Sequence, residues 1–210
     1  MDSKKTLFQQ IPVGNYQNFS YLVADLESKA AAIFDPAWEI QKLISILKEK
    51  NLKLEYIVNT HAHMDHIQGN PELSAATGAK IVMSEKSLAR KDVGVKDGED
   101  LALGKNVKLH FLLTPGHSPE SMCIIVNDEY LITGDTLFIG ECGRVDLPGG
   151  SASELFESFQ KIKRLDPMLL VYPGHDYGSK QFTSLNEQIE TNYTLSPMTR
   201  EEFLKFMNAA

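Results

Sequence analysis

The alternation of apolar and polar residues along the chain predicts short strands separated by helices. Residues 19–23 and 31–34 are apolar or aromatic runs on either side of a polar turn, which is typical of two neighbouring strands. Residues 40–47 then carry apolar side chains at positions i, i+3, i+4 and i+7, which forms one face of a helix. The same criteria predict further strands at residues 54–58, 80–83, 107–113, 122–126, 130–133 and 168–171, and further helices at residues 70–79, from residue 151 and from residue 199.

Polar signals mark the ends of several of these elements. Ser151 and Glu154 have the spacing of a capping box, and Thr199 can cap the last short helix. Residues 85–105 are polar and contain glycine, so we predict a loop there. No linker, low-complexity run or charge block interrupts the chain, and we predict a single domain over residues 1–210. Its two strand-rich halves each carry helices, which suits an α+β sandwich of two sheets with helices outside.

The composition is that of a globular protein with an acidic charge balance. Hydrophobic residues make up 42% and charged residues 23% of the 210 positions, so the chain can bury a sizeable core. The formal net charge of −7 does not favour nucleic-acid or anionic-membrane partners. No stretch approaches the roughly 20 apolar residues of a membrane helix, and residues 1–19 contain no signal-peptide core. We therefore expect a cytoplasmic protein, and the sequence leaves its oligomeric state open.

Histidines lie at the ends of the predicted strands, where loops usually carry functional sites. Asp135 follows the strand at residues 130–133 in the same way. Imidazole and carboxylate groups are the ligands that zinc and iron prefer. His110 instead alternates with apolar residues on a strand, so we expect it to point to solvent. The five remaining histidines are therefore candidate ligands: His61, His63, His66, His117 and His175.

The spacing within residues 61–66 is the most specific signal in the chain. His61 and His63 are two residues apart, so on an extended segment they point to the same side and can chelate one ion. Asp65 and His66 follow where a turn begins, and they can face a neighbouring position. This density of metal-binding residue types favours a metal site over a polar hydrogen-bonded loop.

The segment from Thr60 to His66, followed by Thr114-Pro-Gly-His117, Gly134-Asp135 and Gly174-His175, resembles the metal signature of the metallo-β-lactamase superfamily. The resemblance covers about residues 19–178 and implies a four-layer αβ/βα sandwich with the site at one edge of the two sheets. Asp35, before Pro36, resembles the early aspartate that supports the site in that family.

The resemblance also implies a site for two divalent metal ions. It assigns His61, His63 and His117 to the first ion, and Asp65, His66 and His175 to the second. Asp135 would bridge both ions, and Asp65 would orient a hydroxide held between them. We expect zinc, with iron, manganese or a mixed pair as alternatives. Such a pair makes water nucleophilic near neutral pH, so Asp65 and Asp135 are the candidate catalytic residues.

A second segment indicates the substrate. Cys142-Gly143-Arg144 resembles the Cys-Gly-basic segment of glyoxalase II and the Cys-Gly-Arg segment of persulfide dioxygenases. Within glyoxalase II, the basic residue and a tyrosine matching Tyr177 approach glutathione, so Arg144, Tyr177 and Cys142 are candidate substrate contacts. The alternatives are an Arg144–Asp146 pair that fixes the loop, and a tyrosine that only packs. No histidine is paired with Cys142 in a local motif, so we do not expect it to be a nucleophile.

The resemblance implies a thioester hydrolase similar to hydroxyacylglutathione hydrolase, acting on a small molecule such as a glutathione derivative. A glutathione persulfide dioxygenase is the alternative, because His61, His117 and Asp135 alone form a triad that suits mononuclear Fe(II). A lactonase or other esterase is a further alternative. The seven filled ligand positions argue against a binding protein without catalysis. Glu120 stands where relatives often carry glycine, and its carboxylate either disfavours an anionic substrate or points away from the site.

Overall fold

Two six-stranded sheets face each other, and helices cover their outer surfaces. The computed structural model describes residues 5–196 and 198–207. The first sheet contains β1 (Thr6–Val13), β2 (Asn18–Asp25), β3 (Ala30–Phe34), β4 (Lys53–Val58), β5 (Lys80–Ser84) and β6 (Val93–Val95), with helices α1 (Ile40–Glu49), α2 (Met64–Ile67) and α3 (Asn70–Thr77) between its strands.

The second half of the chain forms the other sheet and its helices. Its elements are β7 (Asp100–Leu103), β8 (Val107–Leu113), β9 (Met122–Val126), β10 (Tyr130–Gly134), the small hairpin β11 (Leu137–Phe138) and β12 (Glu141–Cys142), α4 (Ala152–Ile162), β13 (Leu170–Pro173), β14 (Thr183–Ser184), α5 (Leu185–Thr191), a 3₁₀ turn (Tyr193–Leu195) and α6 (Arg200–Met207).

The strand order explains why one edge of the second sheet carries the site. The first sheet has the order β1-β2-β3-β4-β5-β6, and the second has the order β14-β13-β10-β9-β8-β7. Strand β9 is antiparallel to both β8 and β10, whereas β13 is parallel to β10. Strands β8, β10 and β13 therefore run in the same direction, so the loops that follow them all leave from the side of the sheet where these strands end.

Three apolar layers lie between the four structural layers. The central layer joins the facing sheets, and Tyr21, Phe34 and Phe111 are among its fully buried members. Alternate residues of β2 point the other way, so Leu22 packs with the residues beneath α1 and α3. The third layer packs the second sheet against α4, α5 and α6, with Phe159 at its centre. This arrangement confirms the predicted four-layer αβ/βα sandwich.

A buried carboxylate joins a turn of the first sheet to a turn of the second. Asp25 is inaccessible to solvent, and it accepts hydrogen bonds from the backbone N–H of Lys105 at 2.7 Å and the side chain of Asn106 at 2.9 Å. Ser28 and the backbone of Glu27 supply two more donors, at 2.7 and 3.0 Å. A buried charge is stable only when it is paired or fully hydrogen-bonded, and Asp25 meets that condition.

Residues 85–105 differ from the prediction. This segment was predicted to be a loop, but it contains β6 and β7, which form the outer edges of the two sheets. The apolar residues of these strands are too few to produce a clear period, since edge strands are short and partly exposed. Strand β1 and helix α5 also lacked a recognisable signal. Thr199 and Glu202 cap α6 reciprocally, through bonds of 3.3 and 2.7 Å, and Ser151 caps α4.

Within the described residues, no helix combines the length and apolar character needed to cross a bilayer.

Candidate metal centre

The seven predicted ligands meet at the ends of four strands. His61 and His63 follow β4, while Asp65 and His66 lie in the short helix α2 directly after them. His117, Asp135 and His175 follow β8, β10 and β13, whose ends share one edge of the second sheet. The backbone N–H of Met122 donates to Thr60 O at 3.0 Å, which fixes the first loop against the second sheet.

One group of imidazoles contains His61, His63 and His117. His63 Nδ1 lies 3.1 Å from His61 Nε2 and 2.9 Å from His117 Nε2. The rings stand nearly perpendicular to one another, with interplanar angles of 83–86°. Three nitrogens therefore converge from three directions, which is the geometry by which three histidines hold one ion.

A second group contains Asp65, His66 and His175. His175 Nε2 lies 3.3 Å from His66 Nε2 and 3.4 Å from Asp65 Oδ2. His66 Nε2 is 3.6 Å from the same carboxylate oxygen. Asn18 Nδ2 donates to both the backbone oxygen and Oδ2 of Asp65, so the carboxylate is held in place.

Asp135 lies between the two groups. Its Oδ2 is 3.3 Å from His175 Nε2 and 3.7 Å from His117 Nε2, and its Oδ1 is 3.3 Å from His66 Nε2. Gly174 leaves room for this carboxylate, because a Cβ at that position would lie 2.3 Å from Asp135 Oδ1. The resemblance assigned Asp135 to the position between the two groups, where its carboxylate could contact both ions.

Carbonyl oxygens and a carboxylate orient the outer nitrogens of three histidines. His117 Nδ1 donates to Arg144 O at 2.8 Å, and His175 Nδ1 donates to Tyr16 O at 2.8 Å. His66 Nδ1 lies 3.0 Å from Asp35 Oδ2. A carbonyl can only accept, so Nδ1 of the first two rings carries a proton. In the neutral form of such a ring, the lone pair of Nε2 points into the site, which is the usual tautomer of a metal-bound histidine.

Asp35 connects this outer network to the backbone of the ligand loop. Its Oδ1 accepts from the backbone N–H of Thr60 at 2.8 Å, and its Oδ2 accepts from the Thr60 hydroxyl at 2.7 Å. Asp35 is buried and has a left-handed backbone, with φ of 47°. Because aspartate tolerates this conformation better than most residues, the turn after β3 can aim its carboxylate at His66.

The electrostatics divide the histidines into two kinds. Burial, reinforced by His66, holds the pKa of His61 well below its ordinary value. Burial would also lower the pKa of His66, but Asp135 and Asp35 raise it well above the ordinary value. Burial would raise the pKa of Asp135, yet the charge of His66 and the contact with His175 hold it well below its usual range. The carboxylates of Asp35 and Asp135 therefore stabilise positive charge at the position of His66.

The donor set fits two divalent ions. The ligand nitrogens and oxygens of His61, His63 and His117, and those of Asp65, His66 and His175, lie within 4.8 Å of one another in each group. Among the described residues, Asp135 Oδ1 is a buried atom without a hydrogen bond of acceptable geometry. A buried oxygen without a partner is costly unless a cation occupies the space before it. Imidazole with carboxylate suits zinc or iron.

A cavity of about 660 Å³ opens directly over these groups. Its wall includes His63, Asp65, Asp135 and His175, and most of the remaining wall is apolar or aromatic. A volume of this size accommodates a small organic molecule, and pockets of this kind are usually apolar with a few polar groups that orient the ligand. The proposed ions would therefore face a substrate-sized space.

The three candidate substrate contacts, Arg144, Tyr177 and Cys142, all line this cavity, but their side chains differ in how far they are already engaged with neighbouring residues. Arg144 is exposed and forms two bonds of 2.5 Å with Asp146, from Nε and Nη2. Tyr177 is 54% exposed and stacks on His175, with ring centroids 4.7 Å apart. Burial raises the pKa of the Cys142 thiol to about 12, and the thiol contacts Met207 Sδ at 3.9 Å. The Cys142 thiol is therefore protonated and packed.

Glu120 does not point away from the site. Its Oε1 accepts the backbone N–H of Ala62 at 3.1 Å, between the ligands His61 and His63. The carboxylate therefore braces the ligand loop. His110, in contrast, lies on β8 between β7 and β9, where its Nδ1 is 2.6 Å from Asp100 and its side chain is 31% exposed.

Several cavity residues carried no recognised signal in the sequence. Tyr16, Trp38, Met64 and Phe138 line the cavity beside the ligands. Trp38 is the single tryptophan of the chain and follows Asp35-Pro36 closely, which is a signal that could have been used. Tyr16 gave no signal, because its role depends on contact with His175, 159 residues away.

This fold and this cluster of histidines and aspartates define a family of metal-dependent enzymes. The model of the metallo-beta-lactamase superfamily matches residues 13–175. The chain therefore belongs to the metallo-beta-lactamase superfamily.

Known relatives include both hydrolases and a dioxygenase. The chain is 33% identical over 198 residues to the probable polyketide biosynthesis zinc-dependent hydrolase PksB of Bacillus subtilis, covering 91% of this chain and 87% of that protein. It is 37% identical to the mitochondrial persulfide dioxygenase ETHE1 of Homo sapiens (90% and 75% covered). It is 39% identical to a hydroxyacylglutathione hydrolase of Polaromonas sp. (81% and 67% covered). These relatives therefore differ from one another in the reaction that their names describe.

Among solved structures, ETHE1 from Myxococcus xanthus superposes with a TM-score of 0.90 at 31% identity, covering 96% of this chain and 90% of that chain. Nearly the whole described fold is therefore shared with that protein.

Proposed function

We propose that the protein is a metal-dependent hydrolase of thioesters, similar to hydroxyacylglutathione hydrolase. The observation that supports this proposal is the second complete donor group, Asp65, His66 and His175, with Asp135 between it and the first group. Hydrolysis with two ions requires both groups. We propose zinc as the main metal, because its ligand preferences match the histidine-rich set.

Two divalent ions bound here would lower the pKa of water toward neutrality and polarise a carbonyl oxygen. Asp135 would fix the spacing of the two groups by contacting both. The Asp65 side chain is 31% exposed toward the cavity and held by Asn18, so it would accept a hydrogen bond from the attacking water. Water adds to the thioester carbon, the C–S bond breaks, and a carboxylic acid and a thiol are released.

The cavity wall would hold the rest of the substrate. Tyr177 stacks on His175 and presents its exposed ring to the cavity, which suits contact with the thiol portion. We propose Arg144 as a second contact with this portion, within the limits set by its bond to Asp146. Cys142 would contribute to the wall without taking part in the chemistry, because its thiol is protonated and packed against Met207.

Metal content and two activity assays test this proposal. We expect close to two ions per chain, mainly zinc, by elemental analysis after purification without added metal. We also expect metal-dependent thiol release from a panel of thioesters that includes S-lactoylglutathione, without oxygen uptake. One iron per chain and oxygen uptake with glutathione persulfide, without cleavage of any thioester, would overturn the proposal.

A persulfide dioxygenase is the second candidate. The identity to the human enzyme and the TM-score of 0.90 to the Myxococcus xanthus structure favour it. That reaction needs a redox-active metal, which zinc is not, so the metal analysis separates the two candidates. We further propose that residues 1–210 form one domain that acts in the cytoplasm.

A further inference from the structure

Apart from the ions it would hold, the cavity offers little positive charge to an anionic substrate. Among the described residues that line it, Arg144 is the only lysine or arginine. The Asp146 carboxylate pairs with Arg144, whose Nε and Nη2 donate two parallel hydrogen bonds of 2.5 Å to it. This is the bidentate arrangement that a substrate carboxylate would otherwise use, so Asp146 competes directly for the same face of the guanidinium.

A fixed carboxylate lies on the same wall. Glu141 lines the cavity, its Oε1 accepts the backbone N–H of Cys142 at 3.0 Å, and its Oε2 accepts the hydroxyl proton of Tyr193. These two bonds hold the negative charge in place. A charged group that meets a like charge loses affinity, so this wall disfavours a ligand with free carboxylates.

Two aromatic pairs line the cavity beside the candidate metal centre. The ring centroids of Tyr16 and Trp38 are 6.0 Å apart, and those of Phe138 and Tyr177 are 5.2 Å apart. Both pairs contact His175, which donates to Tyr16 O and stacks on the Tyr177 ring.

Large apolar side chains are also exposed at this mouth. Tyr16, Met64 and Tyr177 are 61%, 66% and 54% exposed, and all three line the cavity. Exposed apolar residues that gather at one cavity indicate a binding surface for apolar groups.

We propose that the site takes thioesters with an uncharged thiol portion and an apolar acyl chain in preference to thioesters of glutathione, and that Asp146 sets this preference by occupying Arg144. The inference rests on the proposed thioester hydrolysis and specifies its substrate class. The aromatic pairs hold the apolar chain, while the paired Arg144 and the fixed Glu141 leave the glutathione carboxylates without a free cation.

Binding without turnover tests the preference directly. S-octyl-N-acetylcysteamine and S-octylglutathione are thioethers, which lack the thioester bond that the enzyme would cleave. The thiol portion is small and uncharged in the first and is a charged tripeptide in the second. Trp38 lines the cavity and is the single tryptophan, so its fluorescence reports binding, and calorimetry provides an independent Kd. We expect the neutral thioether to bind at least about tenfold more tightly, the change expected when charges lose their partners. Equal affinities, tighter binding of the glutathione thioether, or binding of neither overturns the proposal.

Variants of the ion pair test the role of Asp146. Asp146→Asn should improve the Kd of S-octylglutathione about three- to fivefold, a range typical of an exposed ion pair, and should leave the neutral thioether unchanged. The double variant Arg144→Gln/Asp146→Asn should lose that gain. Asp128→Asn is the matched control, since Asp128 is an exposed partner of Lys108 that does not line the cavity. A gain that persists in the double variant, or that Asp128→Asn reproduces, contradicts the assignment.

Hydrolysis assays separate this inference from the function on which it rests. The kcat/KM values for octanoyl-N-acetylcysteamine and S-octanoylglutathione are compared in the metal-loaded protein. Cleavage of both with a higher value for the neutral thioester supports function and inference together. Cleavage with a preference for glutathione leaves the hydrolase intact and overturns the inference. Cleavage of neither overturns the hydrolase, while the thioether affinities still decide whether the cavity prefers the neutral ligand.

Discussion

Asp35→Asn should weaken metal binding through the tautomer of His66. Asp35 Oδ1 accepts from Thr60 N, and its Oδ2 accepts from the Thr60 hydroxyl and from His66 Nδ1. An asparagine can keep the bond to the backbone N–H with its oxygen. Its amide nitrogen then replaces Oδ2 and donates, so His66 Nδ1 must become an acceptor.

The proton of His66 would then move to Nε2, which faces Asp135 and His175. A protonated Nε2 has no lone pair for an ion, so the second group loses one ligand in its dominant tautomer. Changes to partners of this kind typically cost 10- to 100-fold in metal affinity or activity. That range corresponds to about 1.4–2.7 kcal/mol. We therefore expect at least a tenfold loss in affinity for the ion held by the second group, to which His66 belongs.

Competition against a chromogenic chelator at neutral pH measures this affinity, and urea denaturation measures the stability of the same samples. Asp25→Asn is the matched control, because Asp25 is an equally buried carboxylate that accepts from Lys105 N and Ser28 and contacts no candidate ligand. That control should lose about 1–3 kcal/mol of unfolding free energy, since it leaves a buried N–H without an acceptor, and should bind metal normally. Unchanged metal affinity in Asp35→Asn, or equal losses in both variants, would refute the reasoning.

Three further outcomes are expected. Asp135→Asn should weaken binding of both ions, whereas His110→Asn should change little, and elemental analysis showing equal losses would contradict the assignment. Glu120→Ala should lower metal affinity by roughly tenfold, because the backbone N–H of Ala62 loses its acceptor. Glu120→Gln keeps an acceptor oxygen and should bind metal as the unmodified protein does, and chelator competition distinguishes the two variants. Burial alone would raise the pKa of Asp25, but its hydrogen bonds, above all the one from the Lys105 backbone, hold that pKa far below its ordinary value. The ionised carboxylate therefore stabilises the fold fully above about pH 4–5, and this contribution is lost as the pH falls. The gap in unfolding free energy between the unmodified protein and Asp25→Asn should therefore be constant at pH 6–8 and shrink at pH 3, and a gap that widens in acid would contradict this sign.

The sequence by itself predicted most strands and helices, and its resemblance to a family signature indicated the layered fold and the candidate metal ligands. Alternation along residues 107–113 marked a half-buried strand, and the structure places Val107, Leu109 and Phe111 in the layer between the sheets. The spacing of His61 and His63 indicated that they converge, and their nitrogens lie 3.1 Å apart. Such features are local, because side-chain direction repeats every two residues in a strand and about every four in a helix.

Only the tertiary structure decided which distant groups meet. Arg144 was predicted either to contact substrate or to fix its loop, and the bond to Asp146 showed that its guanidinium already has a partner. Tyr16 supports His175 from 159 residues away, and Asp25 joins two turns 80 residues apart. Strands β6 and β7 are too short and exposed to have a period of their own, and pairing with β5 and β8 defines them. Contacts between distant segments depend on how whole sheets pack, and the pattern within any single segment carries no information about that packing.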